Sequence, residues 1–495
     1  MTKIPEFFSG KNVFITGISG FVGKVLVEKL LRSCPEVKTI YVLVREKKGV
    51  NGQKRMENIL NAKLFENLHT SDPECFAKVK VISGDLLNRR IIANDADLQV
   101  LRETVNVVIH SAASVRFSEP LRNSLEINVR ATYEVLELAK TMPHLESFVH
   151  VSTAYSNCQM REVKEKIYKC EVDPVNMLSM SEWMTEELME HITPKLLKDR
   201  PNTYTFTKAL AENLVELYSE CLPIAIVRPS IITGAAFEPS PGWVDNYNGP
   251  NGLLIALGTG ALTTLYSKLD CTADLIPVDF VANTILAAAK HARDGFKIYN
   301  CTSGSQNPIK WRTFMEESVD FPHKYPTTSI IRYPEPRITS HKRLHQIRLF
   351  LQHYVPAQVI DAGLRLARRK PMASKLYQRL SMSMDLLEFF ATNEWVFENS
   401  NTQKLFAGLH NDDKHEFNFD VRTIHWPSYV HTYCAGIRQF LLKGDAGNLE
   451  QARAHVRRLK IVKYAYDICG NLLLSWGIWK AGCALLPCAD ASGFC

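Results

Sequence analysis

No Cys-x-x-Cys pair occurs in this chain, and none of its twelve cysteines, scattered from Cys34 to Cys495, shares a zinc-like spacing with histidine. Zinc modules and dithiol redox motifs are therefore excluded, no metal site is expected, and scattered cysteines suit a reduced, intracellular setting. The opening stretch MTKIPEFFSGKNVFITG has no apolar run of signal-peptide type before the first strand, so a secretory signal is not expected. Internal repeats and low-complexity tracts are also lacking. Asn300-Cys301-Thr302 is formally a glycosylation sequon, but it closes an apolar strand-like run and reads as chance. Acidic residues are scarce in one place. Between Arg332 and Arg379 eleven Lys/Arg stand against two acids, Glu335 and Asp361, a surplus of nine in a chain whose net charge is +7. Such a patch suits a polyanion: nucleic acid, an acidic membrane surface or a phosphate-rich ligand. Any single residue in it reads equally as part of a solvated helix face.

What the chain does have is length. Its 495 residues exceed what one small core needs and point to two or more domains. Hydrophobic content of 46% and charged content of 22% are ordinary for a globular protein. In the first third, strand-like runs (NVFITG, TIYVLV, KVKVISGDL, VNVVIHSAA, SFVHVSTAY) alternate with helical patterns, including one from about Gly23 to Arg32 and one from about Leu121 to Lys140. IAIVRPS reads as the next strand and KIYNCTS as a late one. Val- and Ile-rich runs separated by amphipathic helices predict an α/β, Rossmann-type doubly wound parallel sheet. The rhythm stops at Tyr325–Ser340, which holds three Pro and two Arg. The expected organisation is a dinucleotide-binding reductase domain over 1–330, a smaller mainly α-helical domain over 341–445, and a basic then apolar tail over 453–495.

Between the first strand and helix, FITGISGFVGKVLVEKLL places Gly17, Gly20 and Gly23 in a G-x-x-G-x-x-G spacing. Glycines there permit a tight turn and close backbone approach, and the helix N-terminus offers free N–H groups to a pyrophosphate. Thr16, Ser19, Phe21 and Val22 complete the expected cradle. At the end of the second strand, where an NAD site usually carries an acid, YVLVREKK carries Arg45, with Lys47 and Lys48 close behind. A cation there fits a 2′-phosphate and favours NADPH. Asp85 in SGDL, with Leu86 after it, is placed to accept from the adenine amino group. His110, Ser111 and Ala112 follow the fourth strand, where backbone passes under the nicotinamide ribose, and Pro229 closes a later strand on the same side.

Tyr204 and Lys208, in NTYTFTKAL, are one helical turn apart and lie on one face. A free tyrosine titrates at roughly 10, and a neighbouring ammonium is expected to pull that value down. Lys208 can also hold the nicotinamide ribose. HVSTAYSN supplies Ser152 and Thr153 to orient a carbonyl, with Thr153 preferred because it sits further past the strand end. Tyr204 would give a proton to the substrate oxygen as hydride arrives.

This ordered set resembles the extended short-chain dehydrogenases/reductases. Longer strings (KVLVEKLLRSCP, DRPNTYTFTKALAE, PGWVDNYNGPNGLL, ADLIPVDFVAN, YNCTSGSQNPIKW and FNFDVRTIHWPSYVHTYCAGIRQFLL) are similar to the animal fatty acyl-CoA reductases over about Ile4 to Lys443. The resemblance implies that a long-chain acyl-CoA is reduced twice by NADPH to a primary alcohol, through a hemithioacetal that expels CoA as thiolate, feeding wax ester and ether lipid synthesis. It implies Tyr204 and Thr153 on the thioester oxygen, no covalent nucleophile and no nucleic-acid partner. Cys158 then reads as a buried structural thiol, Asn128 as either a water holder or a brace, and the basic segment 332–379 as suited to CoA phosphates or a membrane surface.

The resemblance also implies a tail anchor on the peroxisomal or endoplasmic reticulum membrane. Here Ile468 to Leu486 is an apolar run with one charge, Lys480, preceded by Arg453, Arg457, Arg458, Lys460 and Lys463. The charge bias predicts a cytosol-facing catalytic part and membrane contact through the tail, peroxisomal before reticular. Asn471 and three glycines weaken the run, so a membrane-lying hairpin or a soluble amphipathic helix stays open, and no peroxisomal tripeptide ends the chain. Two other readings also stand: an extended reductase for a steroid or sugar, and a non-catalytic NADPH-binding membrane scaffold.

Overall fold

The structure, a computed structural model, describes residues 2–444 and 449–485. Its centre is a seven-stranded sheet: β1 (Asn12–Thr16), β2 (Thr39–Val44), β3 (Val79–Ser83), β4 (Val107–His110), β5 (Ser147–Val151), β6 (Ile224–Pro229) and β7 (Lys297–Cys301). The spatial order is β3-β2-β1-β4-β5-β6-β7, and every pairing is parallel. The order reverses between β1 and β4, where Thr16 pairs with His110. Ligands of such sheets bind in the crevice outside the strand ends at this reversal.

Alternate residues of β1 feed two cores. Val13 and Ile15 join one apolar cluster and Phe14 the other, as the two-residue strand period requires. Helix α1 (Phe21–Ser33) covers the first face. Helices α2 (Ala131–Lys140) and α3 (Thr203–Leu217) cover the second, and α4 (Val278–Lys290) packs against α1. The helix expected over Leu121–Lys140 is present but not uniform: Glu126–Arg130 winds as a π turn between Leu121–Leu125 and α2. Such wide turns frequently mark functional sites.

The C-terminal region is mainly helical, with α5 (Lys342–Leu349), α6 (Val355–Leu366), α7 (Ala373–Thr392) and α8 (Trp426–Gly436). It shares a core with the sheet. Phe417, Tyr429 and Tyr433 belong to the same buried cluster as Val25 and Leu26 of α1. Gly242, at φ +76°, lies so close to α8 that a Cβ on it would stand 2.3 Å from the Thr432 carbonyl oxygen. The segment around Tyr325–Ser340 is anchored as well, because Arg337–Thr339 pairs in parallel with Thr264–Tyr266.

The tail forms one helix, α9 (Leu449–Leu485). His455 meets the Ile330 carbonyl at 2.6 Å, and Lys463 pairs with Glu335. Among the described residues no helix is long and apolar enough to cross a membrane. The spanning form of the expected anchor is thus not met there. Its physical reason is composition: Lys480, Asn471 and three glycines interrupt the apolar part of this helix, and Arg453, Arg457, Arg458, Lys460, Lys463 and Asp467 make the part before it polar. Leu486, the last residue of the apolar run, lies outside the described residues.

Candidate active site

The glycine loop sits directly on the end of β4. Gly17 has φ +85°, and a Cβ there would stand 2.7 Å from the Ala112 nitrogen and 2.8 Å from Ser111 Oγ. Only glycine combines this left-handed backbone with so close an approach. Gly20 N–H donates to the Gly17 carbonyl at 2.8 Å, closing the turn. A Cβ on Gly23 would come within 2.3 Å of the same carbonyl oxygen, so α1 packs flush on the loop. At the α1 N-terminus Gly20 supplies no side-chain cap, and Ser19 and Gly20 are exposed. Free N–H groups therefore face the crevice, as a pyrophosphate requires. The residues present fit a dinucleotide. Phe21 stacks on Trp243 with centroids 5.3 Å apart, and Lys24 pairs with Asp245, holding the first turn of α1.

Arg45 lies half exposed at the end of β2, its guanidinium 3.7 Å from Asp85 at the end of β3. Asp85 also accepts the Leu87 N–H at 3.1 Å. Both stand on the rim where an adenosine end would lie. His110 is a different case: its ring is buried, with Nδ1 bonded to Thr16 Oγ1 at 2.8 Å and Nε2 to Thr132 Oγ1 at 3.1 Å. Burial lowers its pKa to about 3, with the Lys208 charge acting the same way. Its side chain is thus a neutral strut, which leaves only its backbone for a cofactor. Ser111 Oγ donates to the Thr16 carbonyl at 2.9 Å, tying β4 to β1.

Helix α3 begins at an Asn202 cap, whose side chain accepts the Thr205 N–H at 3.0 Å. Tyr204 stands in the first turn, half-buried, and Lys208 follows one turn on, buried. Lys208 Nζ donates to the Val151 carbonyl at 2.7 Å, at the end of β5. Thr153, just past that strand, accepts the Tyr155 N–H at 3.2 Å and donates to the Pro229 carbonyl at 3.5 Å, with the Tyr204 hydroxyl beside it. Burial raises the Tyr204 pKa to about 12, opposed by the neighbouring Thr153 hydroxyl. The expected lowering by Lys208 is therefore not what dominates: desolvation does. Burial also lowers Lys208 to about 8, with Glu212 pulling the other way.

The two hydroxyls separate cleanly. Ser152 Oγ donates to Glu212 Oε1 at 2.5 Å, and Arg228 holds the same carboxylate through bonds of 2.8 and 2.7 Å. Ser152 is thus committed to a buried ion pair, which corrects its placement beside Thr153 as a carbonyl-orienting group. Asn128, in the π turn, accepts the Ser114 N–H at 2.8 Å and donates to Thr207 Oγ1 at 2.9 Å. It braces the loop after β4 against α3. Cys158 is buried, its thiol raised to about 11 by desolvation, so it is a structural residue.

Sequence reasoning missed the aromatic cover. The Phe117 ring lies 5.8 Å from Tyr204 and stacks 5.3 Å from Phe390 of α7. Tyr155 packs edge-on against Phe390, Trp395 and Phe397. Nothing in the sequence signals this contact across the chain. The Glu212–Arg228 pair was also missed, although an arginine inside the apolar run IAIVRP was a usable sign.

A glycine-cradled helix N-terminus at the switch point of a parallel sheet, with a tyrosine–lysine pair and a hydroxyl beside it, defines a nicotinamide-dependent oxidoreductase of the extended short-chain type. The family described as male sterility protein matches in two parts, an NAD-binding part over residues 15–285 and a second over 352–444. Fatty acyl-CoA reductase 1 of Xenopus laevis is 43% identical over 484 residues, covering 97% of this chain and 93% of the relative. Fatty acyl-CoA reductase 1 of Homo sapiens is 41% identical over 485 residues, covering 97% and 94%. The chain belongs to the fatty acyl-CoA reductase family. In fold it is similar to the reductase domain of a nonribosomal peptide synthetase from Mycobacterium tuberculosis, at TM-score 0.60 and 19% identity, covering 88% of this chain and 92% of that one.

Proposed function

We propose that this chain binds NADPH and reduces long-chain fatty acyl-CoA to a primary fatty alcohol with release of CoA, using Tyr204, Lys208 and Thr153. The observation that carries the reading is the Thr153–Tyr204–Lys208 arrangement at the mouth of the glycine cradle, roofed by Phe117 and Phe390. When bound, the nicotinamide supplies hydride. Tyr204 stays protonated through the neutral range and can donate its proton to the reduced oxygen. Thr153 holds the same oxygen through its hydroxyl, and Lys208, charged below about 8, adds a positive field where negative charge develops. The aromatic roof excludes water and offers an apolar surface to an acyl chain. Arg45 supports a 2′-phosphate and therefore NADPH over NADH. Products of this reaction would serve wax ester and ether lipid synthesis.

The reading also places the protein on a membrane, peroxisomal before reticular, with its catalytic part in the cytosol. Support comes from the cations of α9 and from its exposed Trp476 and Trp479.

The test is to incubate purified protein with palmitoyl-CoA and NADPH, follow cofactor absorbance and identify the extracted lipid. Hexadecanol formed by wild type and not by Tyr204→Phe supports the reading. Cofactor binding without oxidation at any chain length would overturn it.

A further inference from the structure

Outside the site, the most unusual surface is the hairpin made by α6 and α7. At its turn Leu366 is 88% exposed and Met372 68%, and Val359 on the preceding helix is 66% exposed. Isolated exposed apolar residues are ordinary, but a cluster is not. Arg365, Arg368, Arg369 and Lys370 stand between Leu366 and Met372 or beside them, all exposed. Among the described residues none of these four cations forms an ion pair. The one acid between Val355 and Met384 turns inward. Asp361 is 1% exposed and accepts the N–H groups of Met372, Ala373 and Ser374 at 2.9 to 3.0 Å, and the Ser374 hydroxyl at 2.6 Å. These bonds hold its carboxyl well below the usual range. They also cap α7 and fix the turn. The result is a rigid tip with apolar side chains outermost, a collar of cations and no acid at its surface.

We propose that this hairpin tip is a docking surface for an anionic lipid bilayer, with Leu366 and Met372 entering the acyl region and the cations meeting headgroup phosphates. The charge complements an acidic bilayer, and the two exposed apolar residues select a bilayer over other polyanions. Soluble phosphate groups such as those of CoA, or a nucleic acid backbone, would reward the cations and leave Leu366 in water. A bilayer rewards both. The surface lies on the helical region, not on α9, so it is a second contact independent of the tail and of the reaction.

The experiment is vesicle flotation of the full chain at two salt concentrations, with phosphatidylcholine vesicles and with vesicles that also contain phosphatidylserine. Three variants accompany wild type: Arg368→Glu/Arg369→Glu/Lys370→Glu, Leu366→Asp/Met372→Asp, and Leu366→Cys carrying an environment-sensitive dye. All positions are exposed, and unchanged thermal denaturation checks the fold. The expected result is preferential, salt-sensitive flotation of wild type with phosphatidylserine, weakened at least about tenfold by the charge reversal. The Asp pair should weaken it too, and the dye should shift to the blue on binding. Flotation of both multiple variants as wild type, or a dye that stays in water, would overturn the proposal. So would a concentration-dependent dimer that the Asp pair dissolves without any change in flotation, since a second copy would then cover the tip. Reductase activity is not part of the readout, so failure here leaves the catalytic reading untouched.

Discussion

The ring of Phe390, on a helix of the C-terminal region, lies 5.3 Å from Phe117, whose other neighbour is the ring of Tyr204 at 5.8 Å. The helical region therefore helps shape the surroundings of Tyr204. Phe390→Leu keeps an apolar side chain at a buried position and should cost less than about 1.5 kcal/mol of stability. Its main expected effect is a higher KM for palmitoyl-CoA with a smaller change for a short acyl-CoA. Steady-state kinetics at two chain lengths, alongside thermal denaturation, check this.

Ser152 and Thr153 are adjacent and chemically alike, yet the structure gives them different partners. On the proposed reaction Thr153→Ala removes a donor to the substrate oxygen and should lower kcat about 100-fold or more. Ser152→Ala should leave most activity and cost roughly 1 kcal/mol of stability through its bond to Glu212. Equal kinetic losses in both variants would contradict this division.

Breaking the buried pair is expected to be far more severe. Glu212→Gln leaves Arg228, which is 0% exposed, without its counter-charge, at a cost of about 3–5 kcal/mol. Arg228→Met combined with Glu212→Leu should recover part of that loss. Chemical denaturation of the single and double variants measures it.

Lys208 gives the pH dependence. Its folded pKa, about 8, lies below the ordinary lysine value, so its charge is present at neutral pH and lost as pH rises through about 8. kcat should fall over that window, and Lys208→Arg, charged throughout, should move the fall to higher pH. Stability runs the other way. The unfolded chain binds this proton more tightly, so between about 8 and the ordinary lysine value this group's contribution to stability rises with pH.

At the cofactor cradle, Gly17→Ala must place a Cβ against Ala112 and Ser111 on a left-handed backbone. We expect NADPH binding to weaken by at least about tenfold, with a stability loss of about 1–3 kcal/mol. Arg45→Asp should leave the fold intact and shift preference from NADPH toward NADH by roughly tenfold or more. Fluorescence titration with both cofactors reads the two variants together.

Much of the site was legible because its chemistry is local. Gly17, Gly20 and Gly23 sit in one turn, and Tyr204 and Lys208 in one helical turn, so covalent geometry alone sets their relation. The strand–helix alternation predicted the parallel sheet for the same reason, since burial on both faces leaves Val- and Ile-rich runs. Ser152, a carbonyl-orienting candidate beside the preferred Thr153, turns instead to Glu212, because neighbours on an extended chain point to opposite sides. Only the position of Glu212, a helix away, shows which side is which. The expected fall in the Tyr204 pKa failed likewise, because charge proximity can be read from spacing while desolvation depends on what packs around the group.

The sequence by itself determined the class of fold, the cradle and the tyrosine–lysine pair, which rest on patterns within a few residues. Tertiary structure alone decided that Asn128 serves as a brace, that Phe390 reaches over the site, and that Asp361 turns inward beneath a basic, apolar tip. Each of these depends on segments distant in the chain meeting, and such meetings follow from the packing of the whole core rather than from any local pattern.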